Sequence, residues 1–136
     1  HKDYEHLIGN NTKVVHANGK KELEPYFAAA NVAVLAMAPH EYRDFAAPLK
    51  LFEYIGNGKP SIATEDTFVG DVVTRAELGW TVQASVVEFA ALLDRLPHHP
   101  ERVDAARDRV MAARDQHTWA ARVEELVAAL AAVDQR

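Results

Sequence analysis

The residues of this 136-residue chain that can do chemistry gather around one run, Ala47-Pro48-Leu49-Lys50-Leu51-Phe52-Glu53-Tyr54-Ile55-Gly56-Asn57-Gly58-Lys59-Pro60. Proline suits the first position of a helix, because its φ is already helical and its missing N–H is not needed there. Gly58 can take the left-handed turn that ends a helix, and Pro60 prevents the helix from continuing. The spacing therefore predicts a helix over 48–57. Leu49, Phe52 and Gly56 recur on one of its faces, and Lys50 and Glu53 on another. The amides of Leu49 and Lys50 then stand unpaired at a helix start, where the dipole favours an anion and a phosphate fits. Lys50 adds a cation, and Glu53 can accept hydrogen bonds from the paired hydroxyls of a sugar. The preceding loop contributes His40, Arg43 and Asp44, of which Arg43 and His40 are placed to reach a sugar or a phosphate.

Other constellations carry less. Gly56-Asn57-Gly58-Lys59 looks like a phosphate-cradling loop, but it follows a helix instead of a strand, and Pro60 stands where Ser or Thr is needed. His98-His99 sits in a Pro-flanked turn without further ligands, so no metal site is expected. Ser61 and Ser85 lack the strand–turn–helix setting of a nucleophile. No catalytic residue can be assigned.

The elements that must position this run alternate. A β-branched segment, 12–17, precedes the Asn18-Gly19 turn, and a helix is expected over 22–30 with Tyr26 and Phe27 against the core. The apolar stretch 31–37 reads as a strand covered on both faces. Strands follow at 60–64 and 80–84, helices at 68–78 and 85–96, the latter capped by Ser85. Two helices close the chain, the last opened by Trp119, whose stripe includes Val123, Leu126, Leu130 and Val133. Trp119 is expected in the core. Alternation of this kind means a parallel α/β sheet of Rossmann-like form, with ligands beyond the C-terminal strand ends. That rule points to 38–47, the start of the 48–57 helix and the loop at 65–70.

The run "PLKLFEYIGNGKPSIAT" resembles the donor-binding motif of GT-B-fold glycosyltransferases, family 4-like. The resemblance implies that Glu53 holds the ribose of a nucleotide sugar, and that the amides of Leu49 and Lys50, preset by Pro48, hold its diphosphate. The family's acid eight residues before that glutamate falls on Phe45, which leaves Asp44 as the nearest substitute. Residues 1–136 would then be a partial nucleotide-sugar-binding domain with a helical extension over 101–136. Compared with the family, it would lack its first two strands and the N-terminal acceptor domain. The implied activity is sugar transfer to a carbohydrate or lipid-linked acceptor without metal or cofactor, and the fragment alone would be inactive. The alternative is a non-catalytic nucleotide-sugar-binding or interaction module that works with a partner chain. A nucleotide-sugar epimerase would need acid–base groups that are not found. The strand at 12–17 would lose its neighbours and pair beside 32–37 or with a second chain, giving a dimer through an uncovered sheet edge.

Composition sets the outer bounds. Hydrophobic residues make up 49% of the chain, enough for a real core. The formal net charge of −5 argues against an extended phosphate backbone as partner, so no nucleic acid is expected. With no cysteine, disulfides and thiolate metal sites are excluded. No apolar run reaches spanning length, and a cytoplasmic location is expected, membrane-peripheral in the full-length enzyme.

Overall fold

A computed structural model describes residue 9 and residues 11–41 and 48–133. Three parallel strands, β1 (Ala33–Leu35), β2 (Ser61–Thr64) and β3 (Gly79–Val82), pair in the order β1-β2-β3. Around them lie α1 (Lys20–Ala29), α2 (Leu49–Gly56), α3 (Phe68–Arg75), α4 (Val86–Arg95), α5 (Pro100–Ala113) and α6 (Trp119–Val133). The expected α/β class with a parallel sheet is present.

The central strand shows why the sheet carries helices on both faces. Successive strand side chains point to opposite sides, and all four β2 residues are buried. Ala63 joins Leu35, Leu51 and Ile55 of α2, and Val69 and Val73 of α3 in one cluster. Ile62 joins Val82, Leu92, Leu96 and Val103 in the other. Helix α5 crosses beneath the N-terminal ends of the strands. Its Arg107 donates to the side-chain oxygen of Asn31, just before β1, at 3.3 Å, and Arg109 Nε donates to the Glu77 carbonyl, just before β3, at 2.9 Å.

Local turn chemistry fixes the connections. Gly58 has φ +65, and its N–H donates to the Ile55 carbonyl, ending α2 as expected. Thr67 caps α3: its hydroxyl accepts from the Gly70 N–H at 3.0 Å and donates to the Thr64 carbonyl at 2.7 Å. A Cβ on Gly70 would lie 2.3 Å from that same carbonyl, so only glycine lets α3 seat so closely on the end of β2. Ser85 caps α4 by accepting from Glu88 N–H, as its position suggests.

Several expectations need correction. Residues 13–18 form no strand, and no strand among the described residues flanks the outer edge of β1. Val14 and Val15 are exposed, and among the described residues no strand ladder runs beside this β-branched segment. Nothing in the architecture identifies a GT-B domain shorn of two strands. Tyr26 is exposed, whereas Phe27 packs edge-on against Tyr54 at 6.1 Å. Trp119 is 78% exposed and α6 buries no residue, because among the described residues that helix packs mainly on the short 3-10 turn before it.

That turn, Arg114–His117, meets α2 where the His117 ring lies tilted against Phe52, with centroids 6.0 Å apart. Burial, reinforced by the Arg122 guanidinium and partly opposed by the Glu125 carboxylate, lowers the His117 pKa. The unfolded chain therefore binds this proton more readily than the folded one. His117 contributes most above its ordinary pKa of about 6.5, and that contribution is lost as the pH falls towards the depressed folded value. Calorimetric melting should show a decline in Tm over that window which is shallower in His117→Gln.

Candidate functional site

In a sheet of this topology, α2 descends from the C-terminal edge of the strands, so its start lies on the edge where α/β proteins bind ligands. Pro48 occupies the cap position in extended conformation, one residue before the position expected, and offers no side-chain cap. The Leu51 N–H donates to the Pro48 carbonyl at 3.0 Å, and among the described residues the amides of Leu49 and Lys50 meet no acceptor. Leu49 is 65% exposed and Lys50 is exposed, so nothing among the described residues smothers this start.

Glu53 is exposed on α2, beside Tyr54, whose hydroxyl pKa is raised by burial and by the Glu53 charge. It lines none of the three cavities described below. Arg43 and Asp44 lie outside the described residues.

A cavity of about 260 Å³ sits at the C-terminal strand edge. Met37 beyond β1, Thr64 at the end of β2, Val82 at the end of β3, and Val86 and Phe89 of α4 supply its walls. The Met37 N–H donates to Thr64 Oγ1 at 3.1 Å, tying the segment after β1 to the end of β2. The lining is mostly apolar, with polar groups confined to Thr64, Gln83 and Ser85. Sequence reasoning found this edge but missed the β3–α4 connection that walls the cavity. The available signal was Gln83-Ala84-Ser85 directly after the last strand.

Two further cavities lie elsewhere. One of about 390 Å³, with Val32, Leu96 and Val103 in its walls, lies between α4, α5 and the start of β1. One of about 550 Å³ runs beside β3, lined by Trp80, Arg95, Arg102 and Arg109. No group of three or more His, Asp or Glu side chains among the described residues is placed to hold a metal.

The glycine–lysine–proline segment has a structural account. Gly58 provides the left-handed turn, and Pro60 is fully buried at the entry to β2. Lys59 Nζ donates to the Ala30 carbonyl at 2.8 Å, joining the end of α1 to that entry. Desolvation, with Arg107 nearby, lowers the Lys59 pKa. A helix–turn–strand junction thus accounts for these residues without a bound nucleotide sugar.

No family model matches the chain, and no solved structure matches it closely. Two tRNA dimethylallyltransferases, from two strains of Xanthomonas oryzae pv. oryzae, are each 31% identical to it over 107 residues, or 76% of this chain. The match is 31% of each relative, so the chain spans about a third of the length of the curated relatives it matches. This overturns the glycosyltransferase resemblance, which rested on a short run, whereas the likeness to tRNA-modifying enzymes extends over most of the chain. The nucleotide-sugar donor, the carbohydrate or lipid-linked acceptor and the exclusion of nucleic acid fall with it. The alternative of a non-catalytic nucleotide-sugar module gains no support.

Proposed function

We propose that this chain is part of a transferase that modifies tRNA, and that the cavity over the C-terminal strand ends receives a dimethylallyl group. The observation that carries the reading is the 31% identity over 107 residues to tRNA dimethylallyltransferases. The chemistry of the cavity supports it: Met37, Val82, Val86 and Phe89 suit a small branched hydrocarbon and offer it few hydrogen bonds. Burying such a group is worth about 0.8 kcal/mol per methylene.

Transfer forms a bond from the allylic carbon to a nucleophilic atom of tRNA, which gives up its proton to water. The bond to the donor's leaving group breaks, and that group departs as an anion with the electron pair. In this reading the start of α2, preset by Pro48, receives the anion on the amides of Leu49 and Lys50, with Lys50 as auxiliary cation. Glu53 has no part in it. Such a protein works in the cytoplasm with its tRNA. Among the described residues, no helix is long and apolar enough to cross a membrane.

The test is to incubate the intact protein with tRNA and a dimethylallyl diphosphate ester, then digest the tRNA and weigh its nucleosides. One nucleoside should gain a dimethylallyl unit. Unaltered tRNA in the presence of folded protein would overturn the reading. Val86 is strongly exposed at the cavity wall, so Val86→Asp should spare the fold while placing a carboxylate against an apolar, anionic donor. Its donor KM should rise by about tenfold, equivalent to about 1.4 kcal/mol.

A further inference from the structure

We infer that the groove beside β3 is a landing site for the phosphate backbone of RNA, with Trp80 as a platform on which a base stacks. The inference rests on the tRNA reading for the identity of the RNA, and on its own geometry for the place.

Among the described residues β3 pairs with β2 alone, and its other edge opens into the groove of about 550 Å³. Arg95 enters from the end of α4, and Arg102 and Arg109 enter from α5; among the described residues Glu77 is the one acid in the lining. The groove is thus net positive in a chain whose formal charge is −5. An acidic protein that handles RNA has to do so through a local patch of this kind.

The fold accounts for only some of these cations. Arg95 complements the C-terminus of α4 and donates to the Ala91 carbonyl at 3.2 Å. Arg109 secures Glu77 through its Nε, which leaves the rest of the guanidinium for a ligand. Arg102 is held least: its charge acts on the neighbouring Glu101 carboxylate, which is fully exposed. It stands in the first turn of α5, the wrong end of the dipole for a cation, and makes no side-chain hydrogen bond or ion pair among the described residues. Arg102 and Arg109 lie seven residues apart on one helix face, about 10 Å along the axis, so they can grip separate phosphates. Trp80 is part-buried, packed against the cluster around Ile62 while also lining the groove. An aromatic face within a row of arginines fits a single-stranded segment, where stacking and phosphate contacts combine. An acidic peptide would use the arginines but leave the indole idle.

The experiment measures tRNA binding by the full-length protein across a salt series. Arg95→Gln/Arg102→Gln should weaken binding by tenfold or more and lower the slope of log K against log salt by about 0.7 per arginine removed. Trp80→Leu keeps an apolar side chain in the cluster and should weaken binding by about tenfold. Bound tRNA should quench tryptophan fluorescence in the wild type and quench it less in Trp80→Leu. Wild-type affinity and slope in the double arginine variant overturn the groove while leaving the tRNA reading intact. Equal competition by polyglutamate, charge for charge, overturns RNA as the occupant. A protein that binds no tRNA at all sinks both proposals. Arginine-dependent binding without dimethylallyl transfer keeps the groove and removes only the proposed function.

Discussion

Gly79→Ala is expected to lower unfolding stability by about 3–5 kcal/mol, combining overpacking with backbone strain. Gly79 opens β3 opposite Ser61 of the central strand. An ideal Cβ there would lie 2.0 Å from the Ser61 carbonyl oxygen and 2.7 Å from its nitrogen. Both are backbone atoms of a strand bonded on each side and buried throughout, so neither can yield cheaply. The φ of +155 adds to the cost for any side chain. Domains of this size hold only about 5–15 kcal/mol in total, so the variant should be marginal at physiological temperature. Urea unfolding with an unchanged m-value is the measurement. Gly56→Ala is the contrast: its Cβ meets open space at the end of α2, and it should be neutral or stabilising by about 0.5 kcal/mol. Equal midpoints for the two variants would refute the close approach of β3 to β2.

The second large effect is at Leu51. It is 0% exposed and packs with Ile55, Val69 and Val73, so Leu51→Ala should cost about 3–4 kcal/mol through lost burial and a residual cavity. Leu49→Ala, two residues earlier on the same helix, should change stability by less than about 0.5 kcal/mol. The pair tests which side of α2 meets the sheet. It also bears on the proposed anion site, because a helix start with Leu49 inward would have its first amides covered.

The contrast between Leu49 and Leu51 shows where sequence reasoning reaches its limit. Two apolar sets, Leu49/Phe52/Gly56 and Leu51/Ile55, both fit helical spacing, and periodicity alone ranks neither. The helix itself was legible because Gly58 and Pro60 act locally, through φ and a missing N–H. The same holds for Ser85 as a cap and for the apolar strands at 33–35 and 61–64. Such signals need only a few neighbouring residues. The strand expected at 12–17 failed for the opposite reason: a strand exists only if another strand satisfies its backbone, and that partner is a fact of the fold. Likewise, the groove beside β3 and its arginines come from three separated segments, 77–82, 95 and 102–109, which no linear motif joins.

The chain's own letters settled what depends on short range: an alternating α/β order and the turn and cap chemistry that ends α2 and opens α4. The three-dimensional packing alone decided which leucine of α2 is buried, that Lys59 braces α1 instead of a ligand, that the Trp119 stripe is uncovered among the described residues, and that a net-acidic chain concentrates three arginines beside one indole. The physical reason is one of range. Dihedral preferences and capping hydrogen bonds act within a few residues, whereas burial and the convergence of charge depend on which distant segments the folded backbone brings together.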